Sequence, residues 1–112
     1  MVKLFVAVAF IISASTLAAT AMPGGWCGSY ARTHLVSVDP GPQFNLACNW
    51  LRWGRPTTAH VGAIVVWCSK THRHVGKITG VDANGSFIVL SGNDDHAVRE
   101  RVRSVTGAQF RE

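Results

Sequence analysis

The apolar pattern of this chain changes period once, and that change limits what it can fold into. Before Gly54 the spacing is helical. Trp26 to Leu35 (WCGSYARTHL) reads as a helix, with Tyr30 and Ala31 on the face of Cys27. The run Asp39-Pro40-Gly41-Pro42 stops it. Phe44 to Trp53 reads as a second helix, with Leu46, Ala47, Trp50, Leu51 and Trp53 near helical spacing and Asn45 as a cap. Gly54 and Pro56 end it. After that the runs are short and β-branched. Gly62 to Cys68 (GAIVVWC) is a buried strand, and His74 to Val81 a second. Asp82-Ala83-Asn84-Gly85 is a hairpin turn, Ser86 to Leu90 a third strand and Ser91 to His96 a polar loop. Ala97 to Val105 alternates as an edge strand with Arg99, Arg101 and Arg103 on one face, and Ala108 to Arg111 adds a short last strand. Two N-terminal helices segregated from an antiparallel sheet of about four to five strands define an α+β domain.

The first residues read as an export signal rather than as fold. Lys3 precedes the unbroken apolar run Leu4 to Ile12, and Ala19-Thr20-Ala21 has the small-residue form of a cleavage site. The run is shorter than the roughly 20 residues that span a bilayer. Residues 1–21 are therefore expected to be a signal peptide and 22–112 the domain, periplasmic or secreted and without a stable membrane anchor. One domain of that size has one small core. At least three of Trp26, Trp50, Trp53 and Trp67 are expected to build it. The whole-chain net charge is +5, of which Lys3 leaves with the signal. That balance suits an anionic partner such as a wall polymer. No dense basic run with interleaved aromatics points to nucleic acid.

Three cysteines, Cys27, Cys48 and Cys68, leave one unpaired in an oxidising compartment unless two chains are bridged. Three intramolecular pairings exist. Cys27 opens the first helix, where backbone N–H groups and the helix dipole favour a thiolate. If Cys27 is a nucleophile, the bridge is Cys48–Cys68. A thiol hydrolase also needs a histidine to move protons and a polar group to hold the imidazole. Among five histidines, His34, His72 and His96 do not start a strand. His60 and His74 both open a His-Val-Gly tripeptide, and the local pattern does not choose between them.

The ordered blocks Trp26-Cys27-Gly28, Asn49 to Pro56 (NWLRWGRP), Gly62 to Trp67 (GAIVVW), His74-Val75-Gly76 and Ile88 to Asn93 (IVLSGN) resemble the CHAP family, the cysteine, histidine-dependent amidohydrolases/peptidases. The resemblance covers nearly all of residues 25–111. It implies a papain-like fold and a hydrolase of bacterial cell walls. It places Pro56 and Gly62 to Val66 in the block before the catalytic-histidine strand, so His60 falls in a connecting loop and His74 takes the catalytic place. The third group falls at Asn93, with Asp94 as its competitor. The implied reaction is acyl transfer. Cys27 attacks an amide of peptidoglycan, His74 protonates the leaving amine, and water then hydrolyses the thioester while Asn93 orients the imidazole.

No cofactor or metal is implied. A zinc site from Cys27, Cys68, His72 and His74 matches no standard ligand spacing. The short chain between the helices and Gly28, where a better helix former is usual, favour a different class of function. That alternative is a catalytically degenerate, disulfide-stapled domain that binds wall peptides or a protein partner. In it Cys27 is bridged.

Overall fold

The structure, a computed structural model, describes residues 25–112. The signal assigned to residues 1–21 lies outside them. The described chain is α+β: a few short helical turns, then one antiparallel sheet of six strands.

The first helical segment begins at Cys27, as the sequence implies. It holds α-geometry over α1 (Cys27–Tyr30) and widens to a π-turn over Ala31–Leu35. The second expected helix is instead two 3₁₀ turns, Pro42–Asn45 and Ala47–Arg52. Leu46 is extended between them, with φ −88° and ψ 123°. A chain of this length packs three aromatics there rather than one regular face. Trp50 Nε1 donates to Phe44 O at 2.7 Å, and Trp50 contacts both Phe44 and Trp53. The apolar spacing near helical period is satisfied by the tighter turns.

The strands are β1 (Pro56–Thr57), β2 (Ile64–Cys68), β3 (Arg73–Val81), β4 (Phe87–Asp94), β5 (Ala97–Val102) and β6 (Gln109–Arg111). Their order across the sheet is β1-β6-β2-β3-β4-β5. That is one more strand than the upper expectation, because the two-residue β1 pairs with β6 at the sheet edge. β4 runs on through Ser91–Asp94, which the sequence reads as loop.

The near-continuous apolar run of β2 follows from its position, since both of its faces are covered. Ile64 and Val66 join Cys27, Ala31, Leu35, Ala47, Trp50 and Val75 on the helical side. Val65 and Trp67 join Ala63, Ile78 and Val89 on the other, closed by Phe87, Val105, Ala108 and Phe110. Trp26, Trp50 and Trp67 are core, as the size of the domain demands. The Cys48–Cys68 disulfide staples the second 3₁₀ turn to the end of β2, and Cys27 is free.

Two close approaches bring the first turn of α1 onto this framework. A Cβ on Gly28 would collide with the backbone oxygens of Asn45 and Phe44. Glycine there, a weak helix former, is what lets α1 lie on the first 3₁₀ turn. A Cβ on Gly92 would fall 2.5 Å from Tyr30 Cβ and 2.8 Å from the Trp26 ring. β4 therefore meets α1 across a glycine.

Candidate functional site

The site forms where β3 and β4 part. Their paired register runs from Val81 and Phe87 to Lys77 and Leu90 and stops there. Beyond it, β3 continues with Val75 and His74 while β4 bends away through a register shift between Ser91 and Asp94. Asn93 marks the bend with a φ of 54°. The start of α1 enters this opening. The Cys27 sulfur accepts backbone hydrogen bonding from Val75, Gly28 and its own residue.

His74 is paired with Trp67 across β2 and β3, and the two rings lie 5.8 Å apart. The imidazole is 6% exposed. Its Nε2 lies 2.9 Å from Ser91 Oγ, a buried hydrogen bond. Nδ1 is the nitrogen left to exchange a proton. Cys27, His74, Asn93, Asp94, His72, Arg73 and Arg103 line one polar cavity of about 290 Å³. Cys27 also lines a second, more apolar cavity of about 390 Å³ with Leu46, Ala47, Cys48 and Asn49. The thiol thus stands at the junction of two hollows.

The electrostatics differ from what a helix start alone suggests. Burial pushes the Cys27 thiol up, and the backbone donors and the Arg103 charge offset it only in part. His74 is pushed down to about 4, first by burial and then by Arg103, with Asp94 opposing. At neutral pH the resting pair is a thiol and a neutral imidazole. An expectation of a standing thiolate does not survive these surroundings.

Asp94 is buried, at 4% exposure. Arg101 bonds both of its oxygens at 2.6 Å, and Arg99 Nε donates to its carbonyl at 2.7 Å. The Arg101 hydrogen bond chiefly holds its carboxyl below the usual carboxylate range. Its oxygens are thus engaged by arginine, whereas His74 bonds Ser91. Asn93 lines the cavity, and among the described residues no hydrogen bond joins it to His74. His60 sits in the loop before β2, where Nδ1 meets Thr58 O at 2.7 Å and Nε2 faces Glu112 at 3.3 Å. Cys68 is bridged, so the four-residue zinc set is not available. Among the described residues no group of three or more His, Cys, Asp or Glu is placed to hold a metal.

Ser91 is the site residue that sequence reasoning missed. Its signal is register: Lys77 opposes Leu90, so Gly76 opposes Ser91, and Ser91 falls on the face of His74. No family model, curated protein or solved structure matches this chain.

Proposed function

We propose that this protein is an exported cysteine amidohydrolase with a papain-like site, acting on amide bonds of peptidoglycan. The observation that carries this reading is a free Cys27 at a helical start, sharing one cavity with His74 while the other two cysteines are bridged. With both partners neutral at rest, His74 acts as general base, taking the thiol proton as sulfur attacks the carbonyl. The same imidazole then protonates the departing amine and activates water for thioester hydrolysis. Ser91 holds Nε2, and Asn93 lines the same cavity. Backbone N–H groups near Cys27 are assigned the role of stabilising the oxyanion. The disulfide fits an oxidising compartment, hence periplasmic or secreted. The wall substrate rests on the resemblance of the ordered blocks to the CHAP family and on the chain's positive charge.

The test is digestion of purified peptidoglycan by the chain lacking residues 1–21, beside Cys27→Ala. New amine termini released by the first and not by the second, with unchanged thermal unfolding, are expected. Equal release by both would overturn the assignment of Cys27. A second reading, a binding domain without catalysis, is favoured by the 3% exposure of Cys27 and the raised thiol pKa. It predicts that Cys27→Ala retains wall binding and that neither form releases amines.

A further inference from the structure

Arg103 lies just past β5 and reaches the cavity from the back of the sheet. Its guanidinium lies 4.7 Å over the Trp67 ring, and Nη2 lies 3.5 Å from His72 Nε2. The nearest anion is Asp94, 3.7 Å from Nη1. But Asp94 already accepts two short bonds from Arg101. Nη1 is buried and has no hydrogen-bond partner. A buried, unsatisfied donor on a charged group costs free energy. Such a group persists where something else uses its charge.

The charged and titratable groups around Cys27 come from every neighbouring element. The β2–β3 turn and β3 contribute His72, Arg73 and His74. The β4–β5 turn contributes Asp94 and Asp95. Arg103 comes from beyond β5, with Arg101 behind Asp94. Arg101 binds Asp94, and Arg99 stands 3.8 Å from Asp95. The cavity therefore keeps a positive excess at Arg103 and Arg73. Of these, Arg103 is held by a ring, whereas Arg73 is exposed.

We propose that Arg103, rather than a protonated His74, is the cation that stabilises negative charge on the Cys27 sulfur. The idea rests on the reading of Cys27 as nucleophile and adds a residue to it. The same charge adds to burial, the larger cause, in keeping His74 unprotonated, so one guanidinium helps ready the base and favours the thiolate it generates. Arg103 acts through space on the sulfur and is a positioning residue for charge.

The experiment is a carbon NMR titration of the chain labelled at cysteine Cβ. Cys48 and Cys68 are bridged and do not titrate, so the only moving signal is Cys27. Arg103→Met keeps an unbranched aliphatic side chain at this place and removes the charge that lies over Trp67. Arg103→Gln does the same with a polar end, so a folded sample does not depend on one substitution. Arg103→Lys keeps the charge. The neutral variants are expected to raise the Cys27 midpoint, and so to lower the thiolate fraction at a fixed pH. His74, followed in samples labelled at the histidine ring carbons, should also titrate higher, and Lys should restore both. A neutral variant that titrates with the wild type overturns the proposal. Hydrolysis is not read, so a failed digestion assay and a failed titration are separate results.

Discussion

The two ends of β4 carry turns that begin with aspartate, and they are built on opposite principles. At the start of the strand, Asp82 serves its own loop. Its Oδ1 accepts from the backbone N–H groups of Asn84 at 2.9 Å and Ser86 at 2.8 Å. Gly85 closes the loop at a φ of 82° with a bond to Asp82 O. At the other end, Asp95 and His96 both have positive φ, 56° and 67°, as a type I′ turn requires, with no glycine present. That conformation is costly for such residues. What offsets it is not local: Asp94 is clamped by Arg99, Arg101 and Arg103. The first turn is held by its own side chain and backbone. A turn held by distant arginines is strained, and it borders the cavity of Cys27 and His74.

The largest expected effect breaks the clamp. Asp94→Ala removes the carboxylate that Arg101 bonds among the described residues and leaves Arg103 without its nearest anion. Removing one partner of a buried pair typically costs about 3–5 kcal/mol, and the half-exposed Arg101 puts this case at the low end. Urea denaturation should show a loss of about 3 kcal/mol. A loss under about 1 kcal/mol would mean the turn is held by its own backbone after all.

Next is pH. His74 titrates at about 4 in the folded state against an ordinary 6.5. Between these values the unfolded chain binds more protons, so stability rises with pH through that window and is complete above it. As pH falls from about 6.5 to 4, about 3 kcal/mol should be lost. Asp94, also lowered, adds a further loss below the ordinary carboxylate range. His74→Gln should flatten the upper window and leave the lower one. Unfolding midpoints in urea between pH 2 and 7 would check this, and a slope between pH 4 and 6.5 unchanged by the substitution would remove His74 as its source.

A smaller effect tests the glycine at which β4 meets α1. In Gly92→Ala the new methyl lies under 3 Å from Tyr30 Cβ, an atom with no freedom to swing away. Overpacking of this kind costs about 1–3 kcal/mol. The shift should also move Cys27 away from Val75, so the thiol's alkylation profile should change along with stability. Lost stability with an unchanged profile would separate the packing of α1 from the placement of its cysteine.

The contrast between the turns also explains what could be read in advance. The sheet was legible because β2, β3 and the hairpin at Asp82 are specified by local alternation and turn chemistry. Cys27 at a helical start and His74 on a strand were legible as local patterns, whereas the choice of His74 over His60 came from the ordered blocks. The end of β4 was not. The polar run from Ser91 to His96 reads as loop, since nothing within it indicates that arginines several residues later will hold it in strand and tight turn. Those arginines read as a solvated face because alternation gives their side of the strand and not the sheet's curvature. Ser91 was hidden for the same reason, because its partner is set by register across β3. The second helix was misread because 3₁₀ turns satisfy similar apolar spacing when three aromatics stack over a short segment.

The smallest effect makes the comparison sharpest. Asp82→Asn keeps an oxygen where Oδ1 stands, so both backbone bonds in the loop can persist, and almost no loss is expected. Asp82→Ala removes that oxygen from two N–H groups at a partly exposed turn and should cost about 1 kcal/mol. Asp94→Asn, by contrast, keeps an oxygen but discards the charge that Arg101 and Arg103 require, and should behave more like Asp94→Ala than like wild type. If the asparagine variants at 82 and 94 are equally mild, hydrogen-bond geometry alone holds both turns. The arginine cluster would then be a surface feature, and the positive excess assigned to the cavity would lose its anchor. If only the variant at 94 is damaging, charge is what keeps the strained turn beside the thiol.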